Sequence, residues 1–581
     1  MKTINKPFTI ADALGLSYIG NQADNAGITE NGNYDISSSF KIALGNGNND
    51  AIISNGSGNI NNNHISFGNG ANDTLLANYG NINGNTISFG SGFNIGVQTN
   101  YGNIVGNTIS LGSGGDDYVW INYNGNIDHN TISIANGTYS GVGVEGIGNV
   151  ENNTITIGSG DVHYLYAASG NINNNHISFG SGLADYVLII GIGSISGNSI
   201  SFGSGDTNYV ESYYGSITNN NIHFNDLSSN SYQDWIEAGG DSSIASNHIT
   251  FGDASGDAVF GNFLAHVLIT NNAIRFGNGS NDYVSSFFGA ITSNTIQFGN
   301  GNNDYVESAV NQIANNTITM GNGNSDHIDA IGTLSANTIT MGNGNGDHIN
   351  VMGTLSANTI TIGNGNDNNI YASGLGGNNI INIGSGSRNV IDVSTNDKIT
   401  VGVGGSDHFY FNQNSAGTIG NVQITHFDAN NDSIYINPTL YGLYSFSASY
   451  TNGNTIISNG HGDSITLVGV NDVANLSSYF HDNAPSDARL KRSIRMLKEL
   501  PNGLKLYAFQ YFWSKVEYVG LMAQDLLADE RWSSAVITHP LGFYTVNYAQ
   551  LGLRMTILEQ WLEKGEASVL LAQAQAKGIN G

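Results

Sequence analysis

A chain of 581 residues with 39% hydrophobic and only 11% charged side chains, 78 glycines and a net charge of −28 can bury a sizeable interior and is not a disordered polyelectrolyte. The absence of cysteine excludes disulfide staples and thiolate metal sites. The strong negative charge argues against nucleic acid as a partner.

Residues 1–39, opening MKTINKPFTIADALGLSYIG, hold no apolar core followed by a small-residue cleavage site, and no run of about 18 apolar residues occurs in the chain. No Sec signal, transmembrane segment or membrane insertion is expected. The segment reads as an N-terminal cap or attachment piece, and a place outside the cell then needs signal-less export or lysis.

Residues 40–400 are a repeat. TLSANTITMGNGNGDHINVMG begins at Thr333 and TLSANTITIGNGNDNNIYASG at Thr354, and the period is about 22 residues throughout. One unit reads N-x-I-[ST]-Φ-G-[NS]-G-x-x-D-x-[VI], followed by a less regular segment and a second turn such as Gly-Asn-Ile. The Asn recurs from Asn63, Asn85 and Asn107 through Asn198 and Asn247 to Asn358 and Asn379, and the Ile two residues on recurs from Ile65 and Ile87 to Ile360 and Ile381. Alternation in N-x-I-x-Φ puts Ile and the next large apolar residue on one face and Ser, Thr or His on the other, which is a half-buried strand. This period fits one turn of a parallel β-solenoid whose coils stack at about 4.8 Å. The expected fold is therefore mostly β: a long parallel β-solenoid of about 16 coils of about 22 residues, followed by a small C-terminal domain. Ile and Phe should fill the interior, Asn should ladder along the stack, and glycines should supply positive φ at the corners. Irregular spacing near residues 224–252 predicts a bulged or decorated coil.

Each unit carries a Gly-Asp turn. Gly68-Asn69-Gly70-Ala71-Asn72-Asp73-Thr74-Leu75 weakly resembles the Gly/Asp-rich repeats of RTX calcium-binding proteins, with the inner glycine displaced by one position and only one such turn per coil. That resemblance implies Ca2+ in the repeat, with Asp282, Asp304, Asp326 and Asp347 as metal ligands. Carboxylates stacked at about 4.8 Å repel unless a cation or hydrogen-bond donors intervene. The alternative is that these aspartates, with Asn208, Asn368, Asn389 and His163 at the same position, cap their own turns through backbone N–H groups. Residues 401–485 read as a β cap and linker, because the runs 422–436 and 460–470 are similar to the closing strands of RTX-type solenoids.

At Pro485-Ser486 the chain changes character. Residues 486–581 hold 11 of the 17 Lys+Arg, 9 of the 45 Asp+Glu and 7 of the 78 Gly. The net charge is about +2 there and about −30 upstream. Four segments, SDARLKRSI (486–494), GLKLYAFQYFW (503–513), VGLMAQDL (519–526) and VNYAQL (546–551), resemble in order and spacing the intramolecular chaperone auto-processing domain of endosialidase-type phage tailspikes and tail fibres. The resemblance implies an α+β chaperone domain with a terminal helix over 486–581. Such a domain guides trimerisation of a β-rich fibre, then releases itself by a serine peptidase reaction with a Ser/Lys dyad and no cofactor. Carried onto this chain, the nucleophile is Ser486, the base is Lys491 and the scissile bond is Pro485-Ser486. Ser493 stands where the family usually has Asn.

The chemistry is sound without the family. A serine hydroxyl needs a base to take its proton, a desolvated lysine can be that base, and residues five apart can meet through a turn. On spacing alone, Ser486 or Asp487 could instead cap a helix running through Leu490, Ile494 and Leu497. Further on, Tyr548, Leu551, Met555, Leu558 and Leu562 have the spacing of a helix seam. The resemblance implies that this seam is a trimeric coiled coil; packing within one chain is the alternative.

These readings predict a homotrimeric surface fibre or tailspike-like protein on a virion or bacterial surface, with a host-surface glycan or receptor as outside partner, that cuts itself before Ser486. One alternative is a secreted calcium-binding RTX-like adhesin or matrix protein that keeps its trimerisation tail. A second is a glycan depolymerase using paired acids such as Glu211 with Asp234, or Asp116 with Asp117.

Overall fold

The computed structural model describes residues 2–4, 18–19, 24–37, 41–205, 207–225, 233–374, 376–411, 419–436, 446–459, 462–473, 476, 480–512, 516–538 and 543–570. They form two compact units, residues 1–342 and 343–581. Both contain parallel β-solenoid, about 18 turns in all at a spacing of roughly 22 residues.

In the first unit each coil gives three short strands to three parallel sheets. Ile60–Asn61, His64–Ser66 and Thr74–Ala77 pair in register with Ile82–Asn83, Thr86–Ser88 and Gly96–Thr99 of the next coil. Alternation does what the pattern dictates, since Ile65, Ile87, Ile109 and Ile132 are all buried. Phe179, Phe202, Phe224, Phe251, Phe276 and Phe298 form a buried stack with ring centroids 4.6–5.1 Å apart. The Asn of N-x-I forms the expected ladder: Asn85 donates its backbone N–H (2.9 Å) and its Nδ2 (3.0 Å) to Oδ1 of Asn107, and Asn107 does the same to Asn130. The ladder also takes in Asn220, and its next rung Asn247 lies 27 residues on. The irregular stretch is thus a lengthened coil, of which residues 226–232 lie outside the described residues.

The corners depart from expectation. Positive φ falls mainly on Asn and other non-glycine residues, such as Asn72 (60°), Asn94 (57°), Asn281 (64°) and Asn303 (57°), one residue before the column of stacked turn positions that holds Asp73, Asp282 and Asp304. Asn tolerates that region better than most L residues. The turn glycines serve close approach between coils instead. A Cβ on Gly301 would lie 1.5 Å from the carbonyl oxygen of Gly279, and one on Gly279 would lie 1.5 Å from that of Ala254. Because the obstacle is backbone and cannot rotate away, Gly301→Ala is expected to destabilise by the upper part of about 1–3 kcal/mol, read as a lower urea midpoint.

The second unit has coils of the same kind, with His348–Val351 on Asn369–Ala372 and Thr359–Ile362 on Ile380–Ile383. The last coil is closed by the antiparallel strands Ser447–Thr451, Asn454–Ser458 and Ser464–Val468, the last of which lies parallel on Asn421–Thr425. Gly460 and His461 lie outside the described residues. Phe480–Pro485 then runs parallel to Ser433–Ile436 and antiparallel to Tyr544–Asn547, so the solenoid end passes as one strand into the C-terminal domain.

That domain is an antiparallel sheet of Lys491–Glu499, Lys505–Tyr511, Glu517–Gly520 and Thr556–Ile557, with the short helix Ala523–Leu527 beside it. Leu506, Phe509, Val519, Leu521, Leu526 and Val546 are among its core. Two helical readings are corrected. Asp487 caps only a 3-10 turn, Ala488–Leu490, and the chain then enters the strand Lys491–Glu499 instead of a helix through Ile494 and Leu497. Tyr548, Leu551 and Met555 do not form one helical seam with Leu558 and Leu562. The α-helix is Leu558–Lys564, while Tyr548 and Met555 are drawn into the sheet core. Among the described residues no helix is long and apolar enough to cross a membrane.

Ser493 sits at a bulge in Lys491–Glu499 with φ 54°. Asn tolerates this conformation more readily, so Ser493→Asn is expected to raise the stability of the C-terminal domain by about 0.5 kcal/mol, followed by tryptophan fluorescence in urea.

Candidate functional site

Ser486, Asp487 and Lys491 are all buried, the first two fully and Lys491 to 4% exposure. The backbone of Ser486 is held on both sides, its N–H donating to Tyr544 O (3.0 Å) and its carbonyl accepting from Ala523 N–H (2.8 Å). The bond Pro485-Ser486 therefore lies where the connecting strand ends and the buried turn begins.

Asp487 organises that turn. Its carboxylate accepts from the Arg489 guanidinium (Nη2 2.6 Å), Gln524 Nε2 (2.7 Å) and the N–H groups of Arg489 (2.9 Å) and Tyr544 (3.1 Å). Burial pushes the Asp487 carboxyl up, but these donors outweigh it and hold it well below the usual carboxylate range.

Lys491 has the opposite environment. Its Nζ donates to Leu521 O (2.7 Å) and lies 3.7 Å from the centre of the Phe509 ring, and among the described residues no carboxylate forms an ion pair with it. Desolvation lowers its pKa well below that of an ordinary lysine, and the more distant charge of Asp487 offsets this only in part. A lysine so placed can be a neutral amine, which is what a base requires.

The hydrogen bond made by Ser486 Oγ is to Tyr548 OH, at 3.3 Å. Tyr548 OH in turn accepts from Leu521 N–H (2.6 Å). Leu521 thus links Tyr548 and Lys491 through its backbone, its N–H reaching Tyr548 and its carbonyl accepting from Lys491, while among the described residues no hydrogen bond joins Ser486 directly to Lys491. Tyr548 was legible in the sequence as a seam residue and as part of the segment VNYAQL, and no local signal couples it to a serine 62 positions away.

The column aspartates are also buried. They do not cap their own turns; each accepts a backbone N–H from the preceding coil. Asp257 N–H donates to Asp282 Oδ1 (3.0 Å), Asp282 N–H to Asp304 Oδ1 (3.1 Å) and Asp304 N–H to Asp326 Oδ1 (3.2 Å). In the second unit Asp347 N–H donates to Asn368 Oδ1 (2.8 Å). Calcium takes about six to eight oxygens. Among the described residues no group of three or more His, Asp or Glu is gathered as a metal site. Asn208, at an equivalent position, shows what suits the second atom, donating Nδ2 to Gly205 O (3.2 Å). A carboxyl fits the same place when protonated. Burial and the neighbouring carboxyls push Asp282 and Asp304 up to about 8, and burial pushes Asp117 up to about 7.

The paired acids fall differently from the sequence reading. Asp234 and Asp117 lie in the buried column, and the charge of the adjacent Asp116 adds to the rise that burial gives Asp117. Glu211, itself buried, stands in register with Glu237 of the next coil, and burial together with Glu237 raises it to about 8. Comparison with protein-family models, with curated proteins and with solved structures finds no match to the chain.

Proposed function

We propose that the chain is a surface fibre or tailspike-like protein whose C-terminal domain assists trimerisation of the solenoid and then releases itself by cutting Pro485-Ser486. The observation that carries the reading is the buried chain of contacts from Ser486 through Tyr548 to Leu521, whose carbonyl holds a buried Lys491 that has no ion pair among the described residues, where the strand leaving the solenoid enters the domain. In the reaction Lys491, as the neutral amine, takes the Ser486 hydroxyl proton directly or through Tyr548. Oγ adds to the Pro485 carbonyl, the C–N bond breaks, and the amine of Ser486 leaves with a proton. The resulting ester is hydrolysed by water, giving a carboxylate at Pro485 and restoring the hydroxyl.

The four tail segments similar to auto-processing chaperone domains support this reading. So does the exposed apolar surface of the domain, where Ile494, Met496, Phe512 and Leu562 face outward as a subunit interface would require. A solenoid built from nonlocal pairings is slow to form and exposes strand edges meanwhile, which gives a transient chaperone its purpose. Intact-mass analysis of the freshly folded chain tests the proposal. Two fragments meeting at Pro485/Ser486 are expected, and a single 61.2 kDa species would overturn it.

A further inference from the structure

In a repeat protein a single coil that departs from the pattern marks a place where stacking has yielded to something else. The segment Gly141–Ile147, GVGVEGI, is such a coil. Its strand is the longest in the solenoid among the described residues, and its register against the next coil shifts between Val144 and Ile147.

Before it, Tyr79, Tyr101 and Tyr123 of three successive coils form an exposed stack, with centroids 5.4 and 4.5 Å apart. The stack stops there because Gly146 packs directly on the backbone of Tyr123, where a Cβ would lie 1.5 Å from its carbonyl oxygen. On the adjoining strand Trp120 pairs with Gly143. Having no side chain beside it, the indole lies over Gly143 and stacks on Tyr166 two coils away, at 5.7 Å. Between them an amide ladder, in which Asn122 donates to Asn100 Oδ1 (2.6 Å), gives way to Glu145 at the bulge. Two glycines thus open a notch between two aromatic columns. It is a cleft of about 650 Å³ lined by Tyr101, Trp120, Asn122, Tyr123, Asn124 and Glu145.

We infer that this cleft binds an uncharged pyranose oligosaccharide. Exposed aromatic faces take the C–H faces of sugar rings, and side-chain amides with one carboxylate satisfy hydroxyls, the mix of flat apolar wall and few polar groups that small-ligand sites show. Charge decides against acidic glycans. The lining contains Glu145 and no cation, and residues 41–342 carry only Lys41 and Arg275 as basic side chains. The inference does not depend on whether the C-terminal domain cuts itself.

The test is binding of the full-length protein to immobilised oligomers of neutral hexoses and N-acetylhexosamines beside uronate- and sialate-bearing oligomers. Retention of neutral oligomers is expected, with Trp120→Ala and Tyr123→Ala each weakening it tenfold or more while the melting curve stays in place. Tyr123 is half exposed, so at least one of the two variants should fold. Retention of only the acidic oligomers, retention of none, or neutral binding unchanged in both variants would overturn the inference.

Discussion

Lys491→Arg and Ser486→Ala are each expected to leave the 61.2 kDa chain whole, with cleavage reduced on the order of 1,000-fold or more. Arginine keeps the cation but does not lose its proton in proteins, so it cannot serve as base. The sign of the pH dependence follows from the environment of Lys491. Desolvation lowers its pKa, so below that value the neutral fraction, and with it the cleavage rate, grows about tenfold per pH unit and then levels off. In stability terms the folded domain binds fewer protons than the unfolded chain between the lowered pKa and the ordinary lysine value. The contribution of Lys491 to stability therefore rises with pH across that window. Tyr548→Phe keeps the ring packing but loses the hydroxyl between Ser486 and Leu521, and is expected to slow cleavage roughly 10- to 100-fold. These rates can be followed by gel after a jump from acidic to neutral pH. Cutting by Lys491→Arg, or a rate that falls as pH rises from about 6 to 9, would remove Lys491 from the role.

The second large effect is alkaline loss of solenoid stability. Asp73 is raised to about 6, Asp117 to about 7, and Asp282 and Asp304 to about 8, in each case first by burial. A raised carboxyl binds its proton more tightly in the folded state, so its contribution is fully present below the ordinary Asp value and is lost as pH rises through about 6–8. A tenfold tighter hold on the proton is worth about 1.4 kcal/mol, so a few such groups outweigh most single contacts. The melting temperature of the uncut chain is expected to fall clearly between about pH 5 and pH 9. The double variant Asp282→Asn, Asp304→Asn should lose part of that fall, because an amide presents the donor without a proton to surrender, as Asn208 does. Melting temperatures flat across that range would contradict the protonated column. A rise on adding calcium at mildly alkaline pH would support the calcium-binding reading, with Asp282, Asp304, Asp326 and Asp347 as ligands.

The solenoid was legible because its information is periodic. Asn63, Ile65 and their successors repeat with the stacking distance, and one alternating pattern fixes which face is buried. What a single coil does not contain is its neighbour. The aspartates look like residues capping their own turns, yet their acceptors serve the coil before, and glycines that suggest corner flexibility are spaces for the carbonyl of the coil before. In the tail the limit is range. The turn at 486–491 was visible, but its partners Leu521, Gln524, Tyr544 and Tyr548 come from distant segments, and the 3-4 spacing of Tyr548, Leu551 and Met555 carries no information about the sheet that claims them. The notch at Gly141–Ile147 leaves the repeat spacing unchanged, with Asn130 and Asn153 an ordinary coil apart, and only the register shows that two glycines fall beside Trp120 and Tyr123.

The glycine contacts also constrain how such a gene can change. A coil fits its neighbour only when each missing Cβ meets a carbonyl oxygen and each Asn meets the next Asn, so an insertion of a few residues inside a strand breaks every column at once. Copying one whole coil reproduces all of them. The units beginning at Thr333 and Thr354, equal in length and sharing the opening TLSANTIT, have the form of such a copy. Heritable length in this protein is then counted in coils, and natural variants should differ by whole repeats in the solenoid while short indels gather where a coil is already lengthened, between Phe224 and Trp235.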